Sequence, residues 1–308
     1  MREAKNIVEI EGILSEVDLE NATVVKGRGT SNERETEVIK GVIKIKVNQT
    51  INGQEQKLEI PVHVFATKMT NSGKLNPAYQ SALDVKEKFV SIAACGDEAA
   101  ADRIRITRGR IAMNEYYVND GQLASYPRIT ASFFTKVPKE KFEEKATFRV
   151  EFVVKEKEYE TNAQGDETGR YKIVGVIPGF GERIDVVPFY VVNNKAIEIM
   201  SQYWNTGDTV SAVGKLQFTS TTEKVIEEVD FGEPLERTRT ISISDLILIG
   251  GDQNPLEGEY AFTPEEISAG MAKRQAYLEA EKEKSIKRRQ TPPAQSAVAS
   301  GSAVNWGF

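Results

Sequence analysis

Apolar and polar positions alternate along most of this chain, in two successive blocks with the same order of segments. The first block opens on NIVEIEGILSEV (6–17), where Ile7, Glu9 and Glu11 hold one parity and Val8, Ile10 and Gly12 the other, the period of a half-buried strand. A second strand follows in EVIKGVIKIKVNQT, with Ile39, Ile43, Ile45 and Val47 on one side and Lys40, Lys44 and Lys46 on the other. The turn Asn52-Gly53 is a hairpin signal, and KLEIPVHVFATKM makes the third strand, where Pro61 predicts an edge or a bulge. A helical segment (NPAYQSALDVKEKF), the run VSIAACG and the strand YPRITASFF complete the block. The second block repeats this order as RIDVVPFYVVN, KAIEIMSQYWNTGD, TVSAVGKLQF and RTISISDLILI, again after an upstream strand pair.

Between the strands the pattern predicts loops. ENATVVKGRGTSNERETE, with Gly27 and Gly29, reads as a long first loop, and TTEKVIEEVDFGEPLER as the loop between the last two strands. DRIRITRGRIAMNEYYV reads as a hairpin arm that turns at Asp120-Gly121. A bulge near Gly109 would bring Arg103, Arg105, Arg108 and Arg110 onto one side of it. The pair Gly179 and Gly181 leaves Phe180 at an exposed tip, and Trp204 reads as a plug under the second unit. Thr263-Pro264-Glu265-Glu266 is a capping box that starts a helix over 263–289, whose charged second half should project into solvent. Residues 290–308 are rich in Pro, Ser and Ala, predict disorder, and end in Asn305-Trp306-Gly307-Phe308. The expected organisation is thus a first domain over 1–137, a second over 146–252, the helix and the tail.

Composition narrows the function. The 308 residues are 40% hydrophobic and 28% charged, which is globular, and no apolar run reaches the ~20 residues that span a bilayer. The opening MREAKNIVEIEG has no apolar core of a secretory signal, so a cytoplasmic protein with no membrane role is expected. Cys95 is the single cysteine and is expected to be a buried, inert thiol; His63, the single histidine, is expected half-buried or at the surface. No phosphate loop, no metal-ligand spacing and no nucleophile with a histidine base is present, so the reading is not an enzyme and has no cofactor or metal. The acids Glu227, Glu228 and Asp230 read as a solvated face.

The net charge of −6 argues against nucleic acid as a whole-molecule property, but the charges are segregated. Four arginines lie between 101 and 118 against Asp102 and Glu115, whereas 223–236 carries six acids and Lys224. Single strands are held by cations that follow phosphates and by aromatic faces on which bases stack. The candidates in the first block are Lys44, Lys46, Phe65, Lys68, Arg103, Arg105, Arg108, Arg110, Tyr116, Tyr117, Tyr126 and Arg128. Those in the second are Tyr171, Phe180, Arg183 and Tyr190.

The doubled strand order, the segment GDTVSAVGKLQF and the leader ending in a hydrophobic tip resemble the phage-type single-stranded DNA-binding proteins with tandem OB folds. That resemblance implies two five-stranded OB-like barrels, each with one short helix. It also implies coating of single-stranded DNA, without sequence preference, in replication or recombination in a host cytoplasm. The tip keeps a terminal Phe and lacks acids, so Trp306 and Phe308 would dock replication or recombination partners as an aromatic anchor. A homo-oligomer is compatible with this reading. The alternative is a structural or assembly protein of two β-barrels with no nucleic-acid role.

Overall fold

The computed structural model describes residues 1–26, 33–118, 121–162, 164–227 and 235–290. The protein is mainly β, with a C-terminal helix and a few short helices. The first block comprises β1 (Asn6–Lys26), β2 (Arg34–Ile51), β3 (Gln54–Thr67), α1 (Pro77–Lys88), α2 (Ile92–Cys95), β4 (Arg103–Tyr117), β5 (Leu123–Thr130) and the short β6 (Thr135–Lys136). The second comprises β7 (Lys145–Thr161), β8 (Glu167–Pro178), β9 (Ile184–Val191), α3 (Asn194–Tyr203), β10 (Thr209–Glu227) and β11 (Leu235–Gly251). Helix α4 (Pro264–Gln290) follows.

Strand pairing runs in two rings. In the first it goes β1–β2–β3–β5–β4 and returns to β1, with β3 and β5 parallel at Val62↔Ile129 and His63↔Thr130. In the second it goes β7–β8–β9–β11–β10 and returns to β7, with β9 and β11 parallel at Tyr190↔Ile247. The likeness reaches single residues. Register shifts between Leu14 and Glu16 in β1, and between Val154 and Glu156 in β7. The Leu14 amide donates to the Asp102 carbonyl at 2.9 Å, and the Val154 amide to the Asp208 carbonyl at 2.9 Å. Pro61 stands two residues before His63, as Pro188 stands two before Tyr190. Asn76 caps α1 and Asn193 caps α3 through their side-chain oxygens, each offering an acceptor to an otherwise unpaired helical amide.

The rings join edge to edge. β1 and β7 pair antiparallel from Asn6↔Val150 to Glu11↔Lys145, and Val8 lies opposite Phe148. Those two residues hold corresponding places, each six before the residue that precedes its ring's register shift, so the rings are related by an approximate two-fold. Each ring also leans on the other's fourth strand. Gln49 donates to the Leu216 carbonyl at 3.3 Å and accepts from the Ala146 amide at 3.0 Å. In the opposite sense, the Asp185 carboxylate accepts the Met113 amide of β4 at 3.0 Å.

The apolar parity foreseen for β2 is inside: Ile39, Ile43, Ile45 and Val47 are at most 1% exposed. In the second ring Phe152 stacks on Phe189 at 4.8 Å, and Trp204 meets Phe152 edge-on at 6.0 Å. Trp204 is the plug its position suggested, with its indole N–H donated to the Asp252 carbonyl at 3.0 Å. A ring of that size takes about 200 Å² out of water, on the order of 5 kcal/mol.

Several expectations change. Much of the two polar stretches read as loops is strand, since β1 continues to Lys26 and β10 to Glu227. From Glu20 to Val25 the β1 arm buries no residue, so the apolar alternation that signals a strand is weak there. Gly27, Gly29, Asp120, Glu228, Asp230 and the tail with Trp306 and Phe308 lie outside the described residues. VSIAACG, which by its order in the block should correspond to the second block's fourth strand, is instead the short helix α2 capped by Ser91; the counterpart of DTVSAV is DRIRIT, which opens β4. Cys95 is exposed rather than buried, because α2 has no buried residue; its thiol reaches the Asp97 carbonyl at 3.1 Å. Pro61 makes no bulge, pairing in register with Lys44, and its other edge is unpaired because β3 meets β5 only at Val62 and His63. The capping box is formed both ways, Thr263 amide to Glu266 carboxylate at 3.1 Å and Glu266 amide to Thr263 hydroxyl at 3.2 Å. Beyond its first turns α4 still packs on the protein: Arg274 pairs with Glu115, Leu278 is buried and Lys282 lies over Tyr117.

Candidate nucleic-acid interface

Strand register decides which candidates share a surface. In β4 the pairs Val8↔Gly109 and Ile10↔Ile106 place three steps of β4 against two of β1, a bulge at Thr107 and Arg108. Ile104, Ile106, Gly109 and Ile111 point inward, so Arg103, Arg105, Arg108 and Arg110 all lie on the outer side. The bulge does what the Gly109 pattern suggested.

The outer face of the first ring is continuous across four strands. Cross-strand partners place Lys40 beside Phe65, Val42 beside His63, and Lys44 beside Pro61. The parallel pair His63↔Thr130 carries the face onto β5, and Arg110↔Thr130, Ala112↔Arg128 and Asn114↔Tyr126 carry it onto β4. Phe65 is 59% exposed, Tyr116 45% and Tyr126 41%. Tyr116 and Tyr126 stand edge to face at 6.2 Å. Asn114, a residue the sequence did not single out, fixes both neighbours: its amide donates to the Tyr126 hydroxyl at 2.6 Å, and its carbonyl accepts from Arg128 at 3.3 Å. Counting back from the hairpin turn would have found it opposite Tyr126. His63 lies within this face, where burial and then the charge of Arg128 push its pKa below the ordinary value. Both effects favour its neutral form beside that arginine.

The cations differ in how they are held. Lys40, Lys44, Lys46 and Lys68 pair with Glu20 (3.1 Å), Glu16 (2.6 Å), Glu98 (3.5 Å) and Glu37 (2.8 Å). Such exposed pairs are worth about 0–1 kcal/mol, so a phosphate can replace the carboxylate at little cost. Arg108 is exposed and has no ion-pair partner among the described residues. Arg103 lies over the Phe142 ring at 5.4 Å. Arg105 has a structural task. It donates to Glu11 at 2.6 Å, and that carboxylate is 1% exposed and also accepts the Glu143 amide at 2.8 Å. Burial raises the Glu11 pKa, but the Arg105 hydrogen bond and the Glu143 amide outweigh it and leave the group ionised below its ordinary range. Arg105 therefore neutralises a buried charge.

Three expected stacking faces are turned away or covered. Tyr117 follows Tyr116 and so points to the opposite side of the arm, where Lys282 of α4 lies 5.9 Å from its ring. Tyr171 precedes Lys172 and points inward, 6% exposed and edge-on to Tyr159 at 5.1 Å. Tyr190 is half-buried and capped by the Arg170 guanidinium at 4.0 Å, which also pairs with Glu160 (3.1 Å) and Asp245 (2.9 Å). Phe180 and Arg183, by contrast, are exposed. They line a cleft of about 330 Å³ together with Arg110 and Arg128 of the first ring.

Among solved structures, the chain is similar to a deletion mutant of the single-stranded DNA binding protein from Thermus aquaticus, with TM-score 0.47, 15% identity, and coverage of 86% of this chain and 100% of that one. The wild-type protein of that organism gives TM-score 0.45, 12% identity, and coverage of 83% and 96%. No curated protein matches the chain. A family model described as YorF matches residues 5–284, most of the sequence, and the chain belongs to the YorF family.

Proposed function

We propose that this protein binds single-stranded DNA without sequence preference, gripping it on the outer face of the first ring. Each ring of five strands, with its 1-2-3-5-4-1 pairing and a helix after the third strand, is read as an OB barrel, giving two in tandem. The observation that carries the functional reading is the continuity of one exposed face. Lys40, Phe65, Arg128, Tyr126, Tyr116 and Arg110 lie on it in register across β2, β3, β5 and β4, with Arg108 at the adjoining bulge. Cations follow a phosphate backbone, and aromatic faces accept bases of any kind, which is binding without readout. The protein acts by occupying the strand rather than by chemistry on it, in replication or recombination in the cytoplasm, and a phage setting fits the resemblance noted above.

A fluorescence titration with oligo-dT, oligo-rU and duplex DNA at two salt concentrations tests this. For about four phosphate contacts, the logarithm of affinity for oligo-dT should fall with log salt at a slope of about −3. Duplex DNA should bind much more weakly. Undetectable binding of oligo-dT at low salt would end the proposal.

A further inference from the structure

We infer that the junction of the two rings is a capture site for one unstacked nucleotide of a single strand. Phe180 supplies the stacking face, and Arg110 and Arg183 the phosphate contacts. The inference rests on the single-stranded DNA reading above and adds a site that neither ring makes alone.

The tip between β8 and β9 holds a large aromatic out in water on a pinned support. Phe180 is 86% exposed, the most exposed large apolar residue among the described residues. The turn beneath it needs left-handed backbone at Gly181 (φ 69°) and at Glu182 (φ 62°), a conformation side chains other than glycine adopt rarely. Its base is closed by the Gly179 amide donating to the Arg183 carbonyl at 2.7 Å. The Ala4 amide ties the neighbouring Pro178 carbonyl at 2.8 Å, and Lys273 of α4 pairs with Glu182 on the other side. The backbone that carries this phenylalanine is already ordered, while its ring remains in water without burial. A planar partner that covers it recovers the missing apolar contact.

The cleft beside the tip suits a nucleotide by size and charge. Its volume, about 330 Å³, lies at the low end of the range that small ligands fill, about 300–1,000 Å³. Three arginines line it from both rings, Arg110 and Arg128 from the first and Arg183 from the second, against the two acids Glu3 and Asp185. Arg110 is engaged by Glu3, an exposed pair that a phosphate would displace. The base on Phe180 and the phosphate between Arg110 and Arg183 place the strand where it leaves the first ring's outer face, since Arg110 belongs to both.

The test uses the full chain and oligo-dT carrying one 5-iodouracil. Photocross-linking should recover Phe180 among the labelled residues. Phe180→Ala, a change at a solvent-exposed ring, should weaken oligo-dT binding at least about five-fold, whereas Phe180→Trp should keep it. Glu3→Gln should tighten binding by freeing Arg110. If Phe180→Ala binds as the parent does while Phe65→Ala is weakened, the junction site is wrong and the first-ring reading stands. If the parent chain itself ignores oligo-dT, the failure belongs to the proposed function.

Discussion

The two outer faces hold corresponding positions on a shared frame, yet only one is open. Where the first ring has His63 at its parallel strand pair, with Phe65 exposed beside it, the second has Tyr190 under the Arg170 guanidinium. Arg170 is in turn balanced by Glu160 and Asp245, so ring and cations are spent on one another. On the first face, Arg108 is unpaired among the described residues, and Lys40 and Lys44 sit in solvent-exposed pairs that a phosphate can open. A duplicated framework does not duplicate function. What separates the copies is whether the aromatic and the cations were left facing solvent or turned toward each other.

That contrast can be broken most decisively with aromatics. Phe65→Ala combined with Tyr126→Ala removes two stacking faces and should cost about 2–6 kcal/mol of oligo-dT affinity with the melting temperature nearly unchanged. Tyr190→Ala should leave the affinity of the folded protein close to that of the parent. Equal losses at the two sites, measured by titration, would mean that the second face also binds. A smaller effect is expected in stability. Arg170→Ala strands Asp245, whose pKa burial already raises against the opposing pull of Arg170. Chemical denaturation should show a loss of about 1–3 kcal/mol, since the site is only partly shielded from water. Smaller still, Arg108→Ala should reduce the salt slope of oligo-dT binding by about 0.7, one phosphate's share. Arg105 is unsuited to that experiment, because its removal leaves the buried Glu11 without its cation.

The strands with one buried face were legible because their alternation records burial directly, as Ile43, Ile45 and Val47 against Lys44 and Lys46 show. The β1 arm was not, because neither of its sides is buried: Thr23 is exposed and Val24 only half-buried, so its alternation is too shallow to show in the residue types. The residue-level repeat was available in the sequence. Pro61-Val62-His63 against Pro188-Phe189-Tyr190, and Asp102 against Asp208, mark corresponding backbone positions. It was missed because VSIAACG looks like a strand by composition, whereas Ser91 caps it as a helix. At the candidate site, residue types are easier to read from the sequence than the sides they face. Tyr116 with Tyr117, and Tyr171 with Lys172, are adjacent pairs, and a strand gives neighbours opposite faces. The capping of Tyr190 needed Arg170, Glu160 and Asp245 brought together from three strands, which no local pattern contains.

The joint between the rings offers the finest test of the comparison. Asp185 of the second ring accepts the Met113 amide of the first ring's arm, and burial, only partly opposed by that hydrogen bond and by Arg183, raises its pKa. An acid whose folded-state pKa lies above the unfolded value contributes most favourably below the unfolded value, and that contribution is lost as pH rises through the folded one. At neutral pH the ionised Asp185 therefore weighs against folding. Asp185→Asn keeps an oxygen acceptor for the Met113 amide and removes the charge. The variant should melt at a higher temperature than the parent at pH 7, with the gap narrowing as the pH is lowered toward the carboxylate range. A lower melting temperature at pH 7 would mean that the carboxylate is stabilised by Arg183 and Arg128 more than burial opposes it. In that case the charge is part of the joint that positions the arm, and the arm's tyrosines would depend on the second ring for their placement.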